Sequence, residues 1–345
     1  MPRPVWSAWL LGGPLSKITG RHIKYFLLAS QALFVLLVLA GSDRPVPFEF
    51  SRPMGAAMML WTVGVWIIIL RVLLRSLKAE RPIRALVPLA KSELPIVLRA
   101  LEWAAILGLA LALHGWAKSS MPFVTGYWAD SLLANVDHAI FGTDPWRLFR
   151  SELLKPFYAQ AYVSWFPITF GSMAVLAFSR KDHSALFNSY LITLIVGGTM
   201  GEHLLPSAGP IFYERLGLGT RFHELVATND PTYSMFADYL WKYYQAGGAG
   251  LGTGISAMPS MHVALAVWTL FAAYRIWKPL AVPALAYVLL IWGASIASGW
   301  HYATDGLAGA LIACAAQWAA TRQWWKPAPA SVSAAEPVPG TVPAC

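Results

Sequence analysis

The sequence predicts an all-α membrane protein, a polytopic membrane helix bundle of about eight transmembrane helices. Hydrophobic residues make up 57% of the 345 residues, charged residues only 12%, and there are 17 tryptophans, a composition that no ordinary soluble domain has. Long apolar runs alternate with polar connections along most of the chain. The net charge of +9 therefore indicates basic loops on one side of a membrane rather than a surface that binds nucleic acid.

Eight apolar runs are long enough to approach or cross a hydrocarbon core of roughly 30 Å. They lie near 23–41, 54–74, 98–116, 160–178, 185–205, 259–277, 279–298 and 301–320. An even number of spans puts both termini on one side. If that side is the cytoplasm, most of the 26 Lys and Arg residues fall inside and most of the 17 acidic residues outside, as the positive-inside rule requires. We therefore expect an integral protein of the inner or plasma membrane with both termini cytoplasmic.

The connections between these runs carry patterns of their own. Residues 75–98 are basic and predict a cytoplasmic connection that forms a surface helix close to anionic headgroups. In the outer segment 119–157, apolar residues at helical spacing predict an interfacial helix that ends at Gly142. In the longest loop, 206–258, aromatic residues recur at three- and four-residue steps and predict a helix over 232–245.

These patterns divide the chain into three parts. Residues 1–95 are predicted to form a two-helix membrane extension with the basic loop, and residues 96–322 a six-helix membrane core. Residues 323–345 form a Pro/Ala-rich tail, which cannot build a core and is predicted to be disordered. Residues 1–22 are basic but lack the apolar stretch of a cleavable signal peptide.

Two polar clusters stand at the outer ends of predicted membrane helices. Pro259-Ser260-Met261-His262 opens one apolar run, and Pro259 favours the first turn of a helix. The free amides of that turn would favour an anion. In the second cluster, His301 and Asp305 are four residues apart, so on a helix the carboxylate would share a face with the imidazole and orient it. Two histidines beside an anion-binding helix end indicate phosphoryl transfer.

This pair of motifs resembles the type 2 phosphatidic acid phosphatase superfamily, in which Pro-Ser-x-His precedes His-x-x-x-Asp. The segments SAMPSMHVA and HYATDGLAG are most similar to the corresponding segments of the inositol phosphorylceramide synthase branch. The resemblance covers roughly the region from Ala100 to Trp318. It implies a six-helix phosphatase-type core and phosphoryl transfer through a phosphohistidine, with no metal and no other cofactor.

The residues themselves indicate a division of roles. His301 would attack phosphorus, because a neutral imidazole is nucleophilic near pH 7, and Asp305 would hold the other ring N–H and stabilise the positive charge. His262 would protonate the leaving oxygen and later deprotonate the acceptor. Backbone amides near Ser260 and Met261 would help to hold the phosphate oxygens.

Guanidinium groups should complete the phosphate site, since their planar forks match phosphate oxygens. Here the chain departs from the wider superfamily, because it has no Lys-x₆-Arg-Pro and has Ser295 where an arginine is expected six residues before the nucleophile. The inositol phosphorylceramide synthase branch is similar in lacking that arginine. On this match Arg215 is the first candidate for a phosphate ligand, followed by Arg221 and Lys242.

Three functions compete at this stage. The first is an enzyme that acts on a lipid phosphoester at the outer membrane face, either an inositolphosphotransferase or a phosphatase of lipid or polyprenyl (pyro)phosphates that uses water. The second is a multi-pass transporter with a histidine proton relay, which would place polar groups deep in several spans. The third is a haloperoxidase, which a polytopic chain argues against. We favour the enzyme, with a lipid phosphate as substrate and membrane lipids, not nucleic acid, as partners.

Overall fold

The computed structural model describes residues 22–248, 250 and 252–322, and these residues contain twelve α-helices and no β-strand. The all-α prediction is therefore confirmed for the described part of the chain. The expectations for residues 1–21 and for the tail from 323 onward lie outside it. The helices are α1 (Ile23–Ala40), α2 (Ser51–Ser76), α3 (Pro82–Ser120), α4 (Asp130–Phe141), α5 (Trp146–Phe149), α6 (Lys155–Ala177), α7 (Ser184–Ile192), α8 (His223–Ala227), α9 (Pro231–Ala246), α10 (Met261–Ile276), α11 (Ala281–Ala297) and α12 (Ala303–Thr321).

All eight predicted apolar runs coincide with helices. Among the described residues, five helical segments are long and apolar enough to cross a membrane: Ile23–Ala40, Ser51–Ser76, Pro82–Phe123, Ser184–His203 and Lys278–Ala297. α10 is apolar but has only 16 residues. α6 and α12 complete the set, and α12 is rich in alanine and glycine, which lowers its hydropathy. The chain is a polytopic helical membrane protein.

Several helix boundaries differ from the prediction. α3 has 39 residues and begins at Pro82, so the helix predicted within 75–98 is continuous with the apolar span that follows it. The fifth apolar run starts as α7 and continues as a π-helix over Thr193–Met200. The interfacial helix is found as α4, and the left-handed Gly142 ends it as predicted. The aromatic helix is found as α9.

The main hydrophobic core lies where α3, α6, α7 and α10 pack together, with α11 alongside. Trp268 of α10 is 1% exposed, and its indole N–H donates to the Leu186 carbonyl of α7 at 2.8 Å. A smaller cluster packs α4 and the loop around Phe222 against Tyr302 and Ala303, at the start of α12. The second cluster connects the outer segments to the helix that follows His301.

The two polar ends of the bundle lie far apart. His262 and His301 mark one end, which we call the histidine face, and Lys118 of α3 belongs to it. Glu93, on the same helix, lies among arginines at the other end, the arginine face. Residues 93 and 118 are 25 positions apart in one helix, or roughly 37 Å at 1.5 Å per residue. That length exceeds a hydrocarbon core of about 30 Å.

α12 contacts the start of α10 directly at Gly309. A β-carbon on Gly309 would lie only 2.3 Å from the carbonyl oxygen of Ser260. Such a distance is far inside van der Waals contact, so a side chain at this position would push the two helices apart. A glycine at 309 therefore keeps the Ser260 segment against α12.

We predict that Gly309→Ala destabilises the protein by roughly 1–3 kcal/mol through overpacking. The control is Gly171→Ala in α6, where no atom lies within 4 Å of an added β-carbon. Gly171→Ala should stabilise its helix by about 0.5–1 kcal/mol, because alanine is the better helix former. Thermal unfolding in detergent would measure both, and equal effects of the two substitutions would contradict the proposed close contact.

Candidate active site

The two motif segments meet on the histidine face. The rings of His262 and His301 lie 5.7 Å apart between centroids, with an angle of 66° between their planes. The backbone amide of Ser260 donates to the carbonyl oxygen of Asp305 at 2.9 Å, which joins the segments directly. Residues about forty positions apart in sequence thus form one polar centre.

The sequence predicts His301 on the same helix as Asp305, but His301 does not lie on α12. It precedes the helix, because Tyr302 is the N-cap and Ala303 the first helical residue. The imidazole Nδ1 lies 2.8 Å from the carbonyl oxygen of Ala257. Since a carbonyl can only accept, Nδ1 carries the proton in this bond, and Nε2 keeps its lone pair. The position of Ala257 thereby selects the tautomer of His301.

Asp305 lies close to His301 but does not take the expected hydrogen bond. Its Oδ2 is 3.6 Å from His301 Nδ1, and the same oxygen accepts the backbone N–H of Tyr302 at 2.8 Å. This is the carboxylate half of a capping box, which explains the three-residue spacing to the N-cap. The side chain is fully buried. Asp305 can therefore stabilise a positive imidazole electrostatically, while the Ala257 carbonyl orients the ring.

His262 is held by aromatic contacts. It is the second residue of α10, because Ser260 is the N-cap. The sequence predicts Pro259 in the first turn of this helix, but Pro259 lies before the helix. The ring stacks on Tyr162 with centroids 4.7 Å apart and contacts Trp165 at the same distance. Trp165 also donates its indole N–H to the His262 carbonyl at 3.0 Å. These contacts fix the plane of the imidazole.

The groups around Ser260 are largely engaged in holding the structure. The Ser260 hydroxyl accepts the amide of Val263 as a helix cap, and the Ser260 amide donates to Asp305. Met261 is buried in the main core. Only backbone amides that follow Ser260 are therefore left to contact an anion at the start of this helix.

The three predicted cationic ligands do not converge on the histidines in this structure. Arg215 forms an ion pair with Asp238 of α9 at 2.6 Å. Arg221 makes a double contact with Asp144, at 2.5 and 3.0 Å, and also binds Asn135 and the Ala134 carbonyl. The side-chain hydrogen bond to Asp144 raises the pKa of Arg221. Lys242 lies exposed on α9.

Lys118 is a cation that sequence reasoning missed. Its ammonium group lies 3.8 Å from the carboxylate of Glu202, which is 1% exposed. Gly254, with a φ of +95°, packs on the Lys118 stem, where a β-carbon would lie 2.7 Å from Cγ. A usable signal is present in the sequence, because Lys118 directly follows the apolar run 98–116 at its outer end.

Two aspartates of α4 were missed as well. Asp137 accepts the backbone amides of Ala303 and Thr304, at 2.6 and 3.1 Å, and so caps α12 from another helix. Asp130 accepts the amides of Ala208 and Gly209 and the hydroxyl of Tyr302. Burial raises the pKa of both carboxyl groups, although the amide hydrogen bonds act in the opposite direction. Their seven-residue spacing, which puts both on one helix face, was the available signal.

Comparison with known proteins gives one match. A family model described as PAP2 superfamily covers residues 141–319, slightly more than half of the chain. The matched region contains both motif segments but begins at the end of α4, so Lys118, Asp130 and Asp137 lie outside it. No curated protein matches the chain, and neither does any solved structure.

We predict that Asp137→Asn loosens the start of α12. An amide offers one acceptor oxygen where the carboxylate offers two, so one of the two backbone amides loses its partner. Hydrogen exchange at 303–305 should rise, and the free energy of unfolding should fall by about 0.5–2 kcal/mol, the usual value of an N-cap. Hydrogen–deuterium exchange read by mass spectrometry measures the first effect and chemical denaturation the second.

The matched control is Asp182→Asn, which removes a similar interaction before α7. Asp182 accepts the amide and hydroxyl of Ser184 at 2.9 and 2.6 Å. Its substitution should raise exchange near 184 and leave 303–305 unchanged. Unaltered exchange at 303–305 in Asp137→Asn would show that Asp137 does not cap α12.

Proposed function

Because the chain belongs to the PAP2 superfamily, we propose that it is an integral-membrane enzyme that moves the phosphoryl group of a lipid phosphoester through a phosphohistidine on His301. Membership gives the general class, a lipid phosphatase-type phosphoesterase. The observation that carries the finer proposal is the paired arrangement of His301 and His262, in which the Ala257 carbonyl holds the Nδ1 proton and leaves Nε2 as the free nucleophilic atom.

In the first half of the reaction, Nε2 of His301 attacks phosphorus and the bond from phosphorus to the leaving lipid oxygen breaks. His262, entering as the imidazolium, donates its proton to that oxygen. The attack makes the His301 ring positive. Asp305, 3.6 Å from Nδ1, stabilises this charge without taking the proton.

In the second half, the oxygen of an acceptor attacks the phosphohistidine and the phosphorus–nitrogen bond breaks. His262, now neutral, takes the acceptor proton, so the enzyme returns to its starting state. Water as the acceptor releases phosphate, whereas an alcohol receives the phosphoryl group. The likeness of the motif segments to those of inositol phosphorylceramide synthases favours transfer to an alcohol, such as inositol, over hydrolysis. The charge distribution of the loops favours an active site on the outer face of the membrane.

The phosphate also requires positive charge. We assign this role first to Lys118, because its stem packs against Gly254 in the segment that leads to Ser260 and His262. Glu202 holds the ammonium at 3.8 Å and keeps it on the histidine face before substrate binds. Arg215 could join the site by leaving Asp238, which is itself largely exposed. Arg221 is fully engaged with Asp144 and its neighbours, so we assign it to holding α4 in place.

The proposal is tested by following ³²P from a labelled lipid phosphate. Wild-type protein should carry acid-labile label on histidine and should transfer it to inositol when inositol is added. His301→Ala should carry none, because the nucleophile is gone. His262→Ala should turn over slowly, and labelled protein should accumulate if breakdown suffers more than formation. The activity should survive EDTA and should be inhibited by vanadate, which imitates five-coordinate phosphorus.

The outcomes separate the parts of the scheme. Label that persists on His301→Ala would assign the nucleophile to another residue. Activity lost in EDTA and restored by zinc or magnesium would refute the metal-free route. Release of free phosphate at the same rate with and without inositol would identify a phosphatase rather than a transferase.

We predict that Lys118→Gln lowers kcat/KM by roughly 10–100-fold, since a charged hydrogen bond contributes about 1.5–3 kcal/mol. Arg215→Lys should also lose activity if its fork binds phosphate, because lysine cannot make two parallel contacts. The control is Lys155→Gln, whose side chain is half exposed and pairs with Glu152. Near-normal kcat/KM in Lys118→Gln would remove Lys118 from the phosphate site.

A further inference from the structure

The arginine face contains an unusual concentration of positive charge around one carboxylate. Glu93 is 1% exposed and is contacted by Arg75 at 2.9 Å, by Arg71 at 3.5 Å and by Arg180. Arg99 lies beside this group and donates to the carbonyl of Ser179. Glu93, together with Asp182, which interacts electrostatically with Arg99, cannot neutralise four guanidinium groups. The guanidinium groups keep a surplus of positive charge, and the side chains of Arg75 and Arg180 remain 45% and 53% exposed.

An apolar groove begins beside these arginines. Its walls come from α2, α3, α6 and α7, and its lining includes Trp61, Ala100, Trp103, Ala104, Phe178 and Phe187. All of the lining side chains are apolar except for the indole N–H groups of Trp61 and Trp103. Phe178 lies two residues before Arg180, and Ala100 directly follows Arg99, so this end of the groove is next to the arginine cluster.

The position of the groove relative to the membrane defines what could occupy it. It lies between helices that are long and apolar enough to span a bilayer, and it runs away from the arginine face along α3. A ligand that fills it needs an apolar chain along the helices and an anionic group at the end. Guanidinium forks bind phosphate oxygens through two parallel hydrogen bonds, which makes a phosphodiester the best fit for the anionic group.

We propose that the arginine cluster and the adjoining groove form a binding site for an anionic phospholipid, with the phosphate on Arg75 and Arg180 and an acyl chain along the groove. The arginine cluster lies roughly 37 Å from Lys118 along α3, so the position of the lipid phosphate is separate from the active site. Arg71 and Arg75 belong to α2, whereas Arg180 belongs to the loop after α6. The bound lipid would therefore connect the two-helix extension with the region that the family model covers.

Native mass spectrometry of the detergent-purified full chain tests this proposal. The probes are dioleoylphosphatidylglycerol and, as the neutral comparison, dioleoylphosphatidylcholine. We expect wild-type protein to retain phosphatidylglycerol at one site with at least about tenfold preference, the equivalent of one charge-assisted contact. Arg75→Gln combined with Arg180→Gln should lose that preference. Arg84→Gln, which alters an exposed arginine of α3 near the same face, should keep it.

Two further variants test the site without removing arginines. Ala104→Leu should weaken phosphatidylglycerol binding by filling the groove while the ion pairs remain. Glu93→Gln should strengthen it, because the guanidinium groups lose their internal anion. Equal retention of both lipids by wild-type protein would overturn the proposal and leave the cluster as a purely structural ion-pair network. So would unchanged phosphatidylglycerol binding in both Ala104→Leu and the double arginine variant.

Discussion

Two hydrogen bonds from the segment before α10 hold the candidate active site together. The Ser260 amide donates to the Asp305 carbonyl, and the Ala257 carbonyl accepts the Nδ1 proton of His301. Both bonds use backbone atoms of one segment, so the positions of the two histidines relative to each other follow from main-chain geometry. Such an arrangement is stiffer than a pair of long side chains, because fewer rotatable bonds separate the interacting groups. Catalysis by a nucleophile and an acid that must face one phosphorus atom requires this kind of precision.

This arrangement has a consequence for how a phosphate can be held. A helix start usually attracts anions through its free amides. At α12, however, Asp137 already occupies the amides of Ala303 and Thr304, and at α10 the Ser260 hydroxyl occupies the amide of Val263. The helix ends are therefore largely satisfied by the protein itself. Under the proposed mechanism, positive side chains would supply the remaining stabilisation, and a cation such as Lys118 would then contribute more than the helix dipole.

The sequence predicted the fold class correctly and identified two histidine motifs that the structure brings together, because apolar runs and polar clusters at their ends are local features of a chain. It placed His301 on α12 and Pro259 inside α10, and both placements were wrong. The spacing of four residues between His301 and Asp305 looks helical, but it arises from a capping box in which Tyr302 is the N-cap. Spacing alone cannot distinguish these two geometries. The contacts of Lys118, Asp137 and Ala257 join segments distant in sequence, and a carbonyl partner such as Ala257 has no side-chain signature at all.

The surroundings of the two imidazoles support unequal roles for them. His301 is 5% exposed and has one ring nitrogen bound to a carbonyl, so its proton stays on Nδ1 and only Nε2 is free to form a bond to phosphorus. For His262, no hydrogen bond joins a ring nitrogen to another of the described residues, and the ring is held by stacking on Tyr162 and Trp165. Stacking fixes a ring plane without fixing its protonation state. A nucleophile benefits from a single tautomer, whereas an acid that later acts as a base must gain and lose a proton in each cycle. The asymmetry therefore lies in the hydrogen bonding of the rings as well as in the carboxylate beside His301.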